Sequence, residues 1–285
     1  MNILSLNGGG TSGYMTALLL AKLEKAYGNK YTCSEMFELI TGVSTGSIIG
    51  ALLAKGLPAQ EVVEKYKEFI PKIFSKRNWW LFTKPLYRRD MLQKLMVENL
   101  DVKMKDCKTK FMTYAVSLSK PQMEVDFWKS WREDCEEVKL YDVCLASAAA
   151  PVYFAPYEFG GKVYIDGSLA TNNPSMNAIS EAIRMNVPLE NIYNVNIVCG
   201  EEHGYNEPEK IRSIFHWAPK LATIFSYACS NSIHYQAHSL LGFNNHFIQP
   251  DVSLPIDSQN LKQMEVIADL LWQEHEKRIC ENVFF

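Results

Sequence analysis

The chain has 285 residues, 47% of them hydrophobic and 21% charged, and a formal net charge of −3. These proportions are those of a soluble globular protein that folds without disulfide or metal staples. The slight acidity argues against nucleic acid as a partner, because domains that grip phosphate backbones carry a basic excess. Seven cysteines, an odd number with no Cys-x-x-Cys pair, disfavour a zinc site and a disulfide framework. They fit a reducing compartment, so a cytoplasmic location is expected. The N-terminus runs Met-Asn-Ile-Leu-Ser-Leu straight into glycines. It has no basic segment and no long apolar run, so no signal peptide is expected, and no window reaches the roughly 20 apolar residues of a membrane span.

In chain order, Asn2–Leu6 is short, apolar and bounded by glycine, which predicts a buried strand. Tyr14–Tyr27 carries a helical stripe of Met15, Leu18, Leu19, Leu23 and Ala26. Phe37–Val43 predicts a second strand and Ser44–Lys55 a helix with a small apolar face. Gln60–Phe74 and Asp90–Asn99 predict two further helices, and Phe111–Leu118 and Met123–Trp128 two strands joined near Lys120-Pro121. Tyr141–Ala150 predicts a helix stopped by Pro151. Lys162–Ile165 predicts a strand, Pro174–Met185 a helix with proline in its first turn, and Tyr193–Val198 a strand. Alternating strands and helices imply an α/β fold, with a mainly parallel sheet sandwiched by helices. Beyond Gly200 the pattern is largely helical, with one apolar stretch at His246–Gln249 and a stripe of Leu261, Met264, Ile267, Leu271 and Ile279 on a last helix. This part is expected to pack on the sheet within a single domain spanning 1–285, with a core over 2–200 and a mostly helical remainder over 201–285.

Three motifs carry chemistry. Gly42-Val43-Ser44-Thr45-Gly46 fits G-x-S-x-G between a predicted strand and a predicted helix. A sharp strand-to-helix turn of this kind exposes the serine oxygen, and Gly42 and Gly46 tolerate its crowding. The serine then sits at a helix N-terminus, where developing negative charge is favoured. A glycine-rich turn with an N-cap serine has the same pattern. Asn7-Gly8-Gly9-Gly10-Thr11-Ser12-Gly13 follows the first strand, and the backbone N–H groups of Gly8, Gly9 and Gly10 suit an oxyanion. Gly8, Gly10 and Gly13 also satisfy G-x-G-x-x-G, the dinucleotide fingerprint, but the second strand ends in Gly-Val-Ser-Thr-Gly and lacks the acidic residue that fingerprint requires. Asp166-Gly167-Ser168 places a carboxylate on a tight turn, although Asp-Gly is also a common turn dipeptide. All six histidines lie late, none in a catalytic motif. His234 and His238 have helical i, i+4 spacing without the glutamate of a zinc hydrolase.

Together and in this order, the motifs resemble the patatin-like phospholipase family. Its glycine loop resembles Asn7–Gly13, its nucleophile elbow Gly42–Gly46, and its D-G-[G/A] turn Asp166–Ser168. The segments Ala146–Pro151, Phe154-Ala155-Pro156 and Asn173-Pro174 are similar to the family's residues around that turn. The resemblance covers roughly Asn2 to Gly200. It implies a three-layer patatin-like fold with a helical C-terminal extension, and a lipid acyl hydrolase of phospholipase A type. Ser44 and Asp166 would form a dyad, Gly8, Gly9 and Gly10 the oxyanion hole, and an acyl-enzyme the intermediate. No cofactor or metal is implied. The substrate would be a phospholipid or related acyl lipid, met by peripheral membrane contact. A carboxylate is a weak base for a hydroxyl, so Asp166 has to be desolvated. The chain departs from the family pattern at Asn7, usually Asp, at Ser12, usually basic, and at Ser168. Two other functions stay open on the sequence: a nucleotide-dependent oxidoreductase built on Gly8–Gly13, and a catalytically inactive lipid-binding or regulatory homologue.

One more segment suggests contact with lipid. Trp79, Trp80 and Phe82 stand among Lys76, Arg77, Lys84, Tyr87, Arg88 and Arg89, the mixture that favours a membrane interface with anionic headgroups. A core-packed loop with a solvated basic edge would read the same way.

Overall fold

The computed structural model of the chain describes every residue outside 76, 79–83, 120, 200–213, 253 and 284–285, with the backbone alone along 214–223. The first strand, β1 (Asn2–Leu6), is buried on both faces from Ile3 onward because it lies in the middle of a sheet covered on both sides. It leads through the glycine loop into α1 (Gly13–Ala26), and a short α2 (Cys33–Met36) precedes β2 (Leu39–Gly42). Then come α3 (Thr45–Ala54), α4 (Ala59–Ile73) and α5 (Arg89–Leu100), the hairpin of β3 (Lys110–Ser117) and β4 (Glu124–Lys129), and α6 (Leu140–Ser147). A second small hairpin, β5 (Tyr157–Phe159) and β6 (Lys162–Ile165), is followed by α7 (Ser175–Arg184) and β7 (Tyr193–Ile197). The remainder contains α8 (Ile214–Leu241), β8 (Asn245–Ile248) and α9 (Leu261–Asn282).

The sheet runs β5-β6-β3-β2-β1-β7-β8, with β4 also paired to β3. The five strands β3, β2, β1, β7 and β8 are mutually parallel, and β4, β5 and β6 add antiparallel pairs at one side. The sheet is therefore mixed around a parallel centre. The C-terminal part is more than a helical extension, since β8 supplies an edge strand in register with β7, Asn194 facing Asn245 and Ile197 facing Ile248.

Side-chain alternation assigns the two faces. Leu4, Leu6, Ile40, Val195 and Ile197 point into the larger core with α1, α3, α4, α5, α6 and α9. Ile3, Leu39 and Met112 point the other way, against Ala178, Ile179 and Ala182 of α7 and Ala237 and Leu241 of α8. That second face also carries a buried polar layer. The Ser5 hydroxyl donates to Asn194 Oδ1 at 2.7 Å, and Asn194 Nδ2 donates to Asn245 Oδ1 at 2.7 Å. Glu24 ties three helices together from α1, its carboxylate accepting the N–H of Cys33 and of Ala59, the first residues of α2 and α4, each at 2.8 Å. Negative charge at two helix N-termini is favourable.

The predicted helix Tyr141–Ala150 ends three residues early, at Ser147. Ala150 precedes a proline and so avoids the helical region, and the Ala149 carbonyl is taken by the N–H of Asp166 at 3.0 Å.

Candidate active site

β2 ends at Gly42, and the chain turns sharply at Ser44 into α3. Ser44 adopts φ 54° and ψ −125°, a conformation that costs a non-glycine residue about 1–3 kcal/mol and is held by its surroundings. Its N–H donates to Ser147 Oγ at 3.0 Å, and the Thr113 hydroxyl in turn donates to Ser147 Oγ at 3.1 Å. The Ser47 hydroxyl donates to the Ser44 carbonyl at 2.6 Å. Two glycines are obligatory for steric reasons. A Cβ on Gly42 would meet the Gly46 carbonyl, and a Cβ on Gly46 would meet the Leu6 carbonyl of β1. The elbow thus packs backbone against backbone, and Ser44 remains 8% exposed.

The strand pairings bring Asp166 to this turn. Along Met112–Ser117 one edge of β3 is occupied by β4, while β2 takes the other edge only as far as Met112. A strand residue has two edges, so β6, which pairs with Val116 and Ser117, takes the edge that β2 leaves when it turns away. β6 ends at Ile165, and Asp166 emerges beside the elbow. Gly167 fits beneath it, where a Cβ would sit 2.9 Å from Val43 Cγ2.

Asp166 is 1% exposed. Its Oδ1 accepts the Ser168 N–H at 2.8 Å, and its Oδ2 completes no hydrogen bond of ordinary geometry among the described residues. Burial pushes the carboxyl up to about 6, against the opposing pull of the Ser168 N–H and hydroxyl and of the neighbouring Ser44 hydroxyl. Desolvation therefore moves this group toward the range of a general base at neutral pH.

The glycine loop flanks the same serine. A Cβ on Gly8 would lie 2.9 Å from Ser44 Cβ and 2.6 Å from Asn172 Oδ1. The Gly8 N–H is already engaged, donating to Asn172 Oδ1 at 3.0 Å, while Asn172 Nδ2 donates to the Gly8 carbonyl at 3.3 Å. Gly9 and Gly10 make no N–H hydrogen bond among the described residues. Gly10 has φ 58° and lies hard against the Ile256 carbonyl, which also accepts the Thr11 N–H at 2.9 Å. The dinucleotide reading of this loop loses ground here, since the chain's own Ile256 covers Gly10 and the Cys199 side chain packs on Gly9.

Ser44 opens into an apolar cleft. Ile48 of α3, Phe69, Ile70 and Ile73 of α4, and Leu92 and Met96 of α5 line it together with Gly10, Thr11 and Ile256. Polar groups in these walls are paired with each other, Thr45 Oγ1 and the Tyr66 hydroxyl 2.6 Å apart and the Thr11 hydroxyl donating to the Ile256 carbonyl at 3.3 Å. The cleft is thus an apolar slot with a strained serine in its wall.

The sequence that builds this site matches a known family over most of its length. The family's sequence model, described as patatin-like phospholipase, matches residues 4–179. The chain belongs to the patatin-like phospholipase family. Curated relatives include proteins named cGAMP-activated phospholipase from Vibrio cholerae, 33% identical over 65% of this chain and 58% of that protein, and from Escherichia coli, 31% identical over 71% and 63%. A Pseudomonas aeruginosa protein of the same name is 27% identical over 94% of this chain and 83% of its own. The chain thus spans about three fifths of the length of the first two.

Trp79, Trp80 and Phe82 lie outside the described residues. Tyr87, grouped with them on sequence, is a core residue, edge-on to Phe74 at 4.9 Å between ring centroids and donating its hydroxyl to Asp257 at 2.7 Å. Arg89 also faces inward, reaching the carbonyls of Ala155 and Pro156. Sequence reasoning missed Asn172, Ser147 and Ile256. Ser147 lay inside the Ala146–Pro151 segment and Asn172 one residue before Asn173-Pro174, but neither carries a role that residue type alone would announce.

Proposed function

We propose that this protein is a lipid acyl hydrolase in which Ser44 is the nucleophile and Asp166 its base. The observation that carries the reading is the strained Ser44 beside a buried, desolvated carboxylate, in the wall of an apolar cleft. An acyl chain lies in the cleft with its ester carbonyl at Ser44. Ser44 Oγ attacks the carbonyl carbon as Asp166 takes the hydroxyl proton, and the negative charge on the carbonyl oxygen is met by the Gly9 and Gly10 N–H groups at the start of the loop. Collapse expels the alcohol, which leaves with the proton from Asp166, and an acyl-enzyme remains. Water, deprotonated by Asp166, attacks that ester, and the fatty acid departs as Ser44 recovers its proton.

The substrate class is a phospholipid or related acyl lipid, reached from the water side by peripheral contact. No helix among the described residues is long and apolar enough to cross a membrane. The names of three relatives carry activation by cGAMP, so the assay compares rates with and without that cyclic dinucleotide. The test uses phospholipid vesicles and a short soluble ester, with the parent and Ser44→Ala matched for thermal stability. The reading expects the variant to lose hydrolysis of both. Residual activity within tenfold of the parent overturns it.

A further inference from the structure

We propose that Asn172 is a positioning residue for the glycine loop, holding the Gly9 and Gly10 N–H groups on the oxygen that becomes negative at Ser44; this rests on the hydrolase reading above. The Asn172 amide clasps both backbone polar groups of one residue, accepting from the Gly8 N–H at 3.0 Å and donating to the Gly8 carbonyl at 3.3 Å. Both partners are buried or nearly so, and Gly8 is wedged between Asn172 Oδ1 and Ser44 Cβ. No side chain other than hydrogen fits there. The clasp therefore sets the height of the loop above the serine.

A second consequence is that Gly8 is removed from the set of oxyanion donors. Its N–H is spent on Asn172, so the charge has to be met by the next two peptides. The Gly9–Gly10 peptide is also held from within the loop, the Ser12 N–H donating to the Gly9 carbonyl at 3.2 Å. On the far side Gly9 presses on Cys199, and Gly10 on the Ile256 carbonyl, contacts that limit how far the loop moves but do not orient it. The Gly8–Gly9 peptide, which carries the Gly9 N–H, takes its orientation from Asn172 through the Gly8 carbonyl.

The clasp also couples the two halves of the site. Asp166 and Asn172 stand six positions apart on one short segment. That segment is fixed to the sheet by the Tyr114 hydroxyl, which donates to the Thr171 carbonyl at 2.8 Å. The same strand, β3, carries the Thr113 hydroxyl that supports Ser147 and through it the Ser44 N–H. Nucleophile, base and oxyanion loop are thus referenced to a single strand. The segment that carries the acid also sets the loop.

A role of this kind affects the tetrahedral state and spares ground-state binding. The test uses Asn172→Ala, Asn172→Leu (close in volume, without hydrogen bonds) and Ser44→Ala in the full chain. Three quantities are read: kcat and KM on a soluble acyl ester, affinity for a long-chain trifluoromethyl ketone, which forms a tetrahedral oxyanion adduct with serine, and affinity for the free fatty acid. Loss of a single oxyanion donor lowers kcat by about 100- to 1,000-fold, so a misplaced pair is expected to lower it by roughly 10- to 100-fold. KM and fatty-acid affinity stay within about threefold, and ketone affinity falls in step with kcat/KM. If both Asn172 variants bind the ketone as tightly as the parent, or lose ketone and fatty acid equally, the positioning role is overturned. Should Ser44→Ala remain active, the hydrolase reading itself fails, a result distinct from either.

Discussion

Replacing Asp166 by asparagine separates what the carboxyl does for chemistry from what it costs the fold. Burial raises this carboxyl from 3.8 to about 6. A group whose folded pKa is raised binds its proton more tightly in the native state, so ionising it opposes folding. The penalty is absent below the unfolded value and complete above the folded one. A shift of about 2 units at 1.36 kcal/mol each corresponds to about 3 kcal/mol, of which roughly 2 develop between pH 4.5 and pH 8. The amide of the variant would carry no such charge. Its nitrogen takes the place of an oxygen with no ordinary hydrogen bond, a cost that does not depend on pH and cancels from the comparison. Asp166→Asn is therefore expected to gain on the parent by roughly 2 kcal/mol as pH rises from 4.5 to 8, while losing ester hydrolysis. Urea unfolding of both proteins at four or five pH values measures this. A stability difference constant with pH to within about 0.5 kcal/mol would show that Asp166 titrates at an ordinary value, and the desolvated base would have to be abandoned.

Other consequences follow from single contacts. The parent's kcat/KM is expected to rise with pH through about 6 as Asp166 ionises, and a profile flat between pH 5 and 8 contradicts that assignment. Substituting each of His234, His238 and His246 by alanine should leave catalysis within a fewfold of the parent, because His234 stacks on Phe247 and His246 is buried beside β7, away from Ser44; silencing by any one of them would replace the dyad with a triad. Gly46→Ala forces a methyl group into the Leu6 carbonyl and is expected to lower stability by more than about 3 kcal/mol, read as a collapse of soluble yield or a large drop in Tm. Glu24→Ala strands two buried N–H groups at helix starts and should cost about 2–4 kcal/mol in urea unfolding, whereas a change under about 0.5 kcal/mol would remove it as a structural tie.

Much of this arrangement is legible in the sequence. The glycine loop, the elbow and the Asp-Gly turn each follow a short apolar run that reads as a strand. β1 and β6 have the predicted bounds, Asn2–Leu6 and Lys162–Ile165. β8 is visible only as an apolar stretch. Two of its four residues, Asn245 and His246, are polar, and both are buried, Asn245 within the amide layer shared with Asn194. A pattern that equates burial with apolarity misreads such a strand. The route by which Asp166 reaches Ser44 is equally hidden. It depends on β6 taking over an edge of β3 that β2 vacates, a three-strand relation with no local signature. The clasp on Gly8 belongs to the same class, because it joins residues 164 positions apart.

The most direct test of the central claim is labelling of the native chain with a fluorophosphonate, followed by proteolysis and mass mapping of the adduct. A nucleophile at the elbow gives one adduct, on the peptide that carries Ser44, and Ser44→Ala abolishes it while Asp166→Asn slows it strongly. An adduct on another residue, or lipid hydrolysis that persists without any adduct, would contradict the assignment.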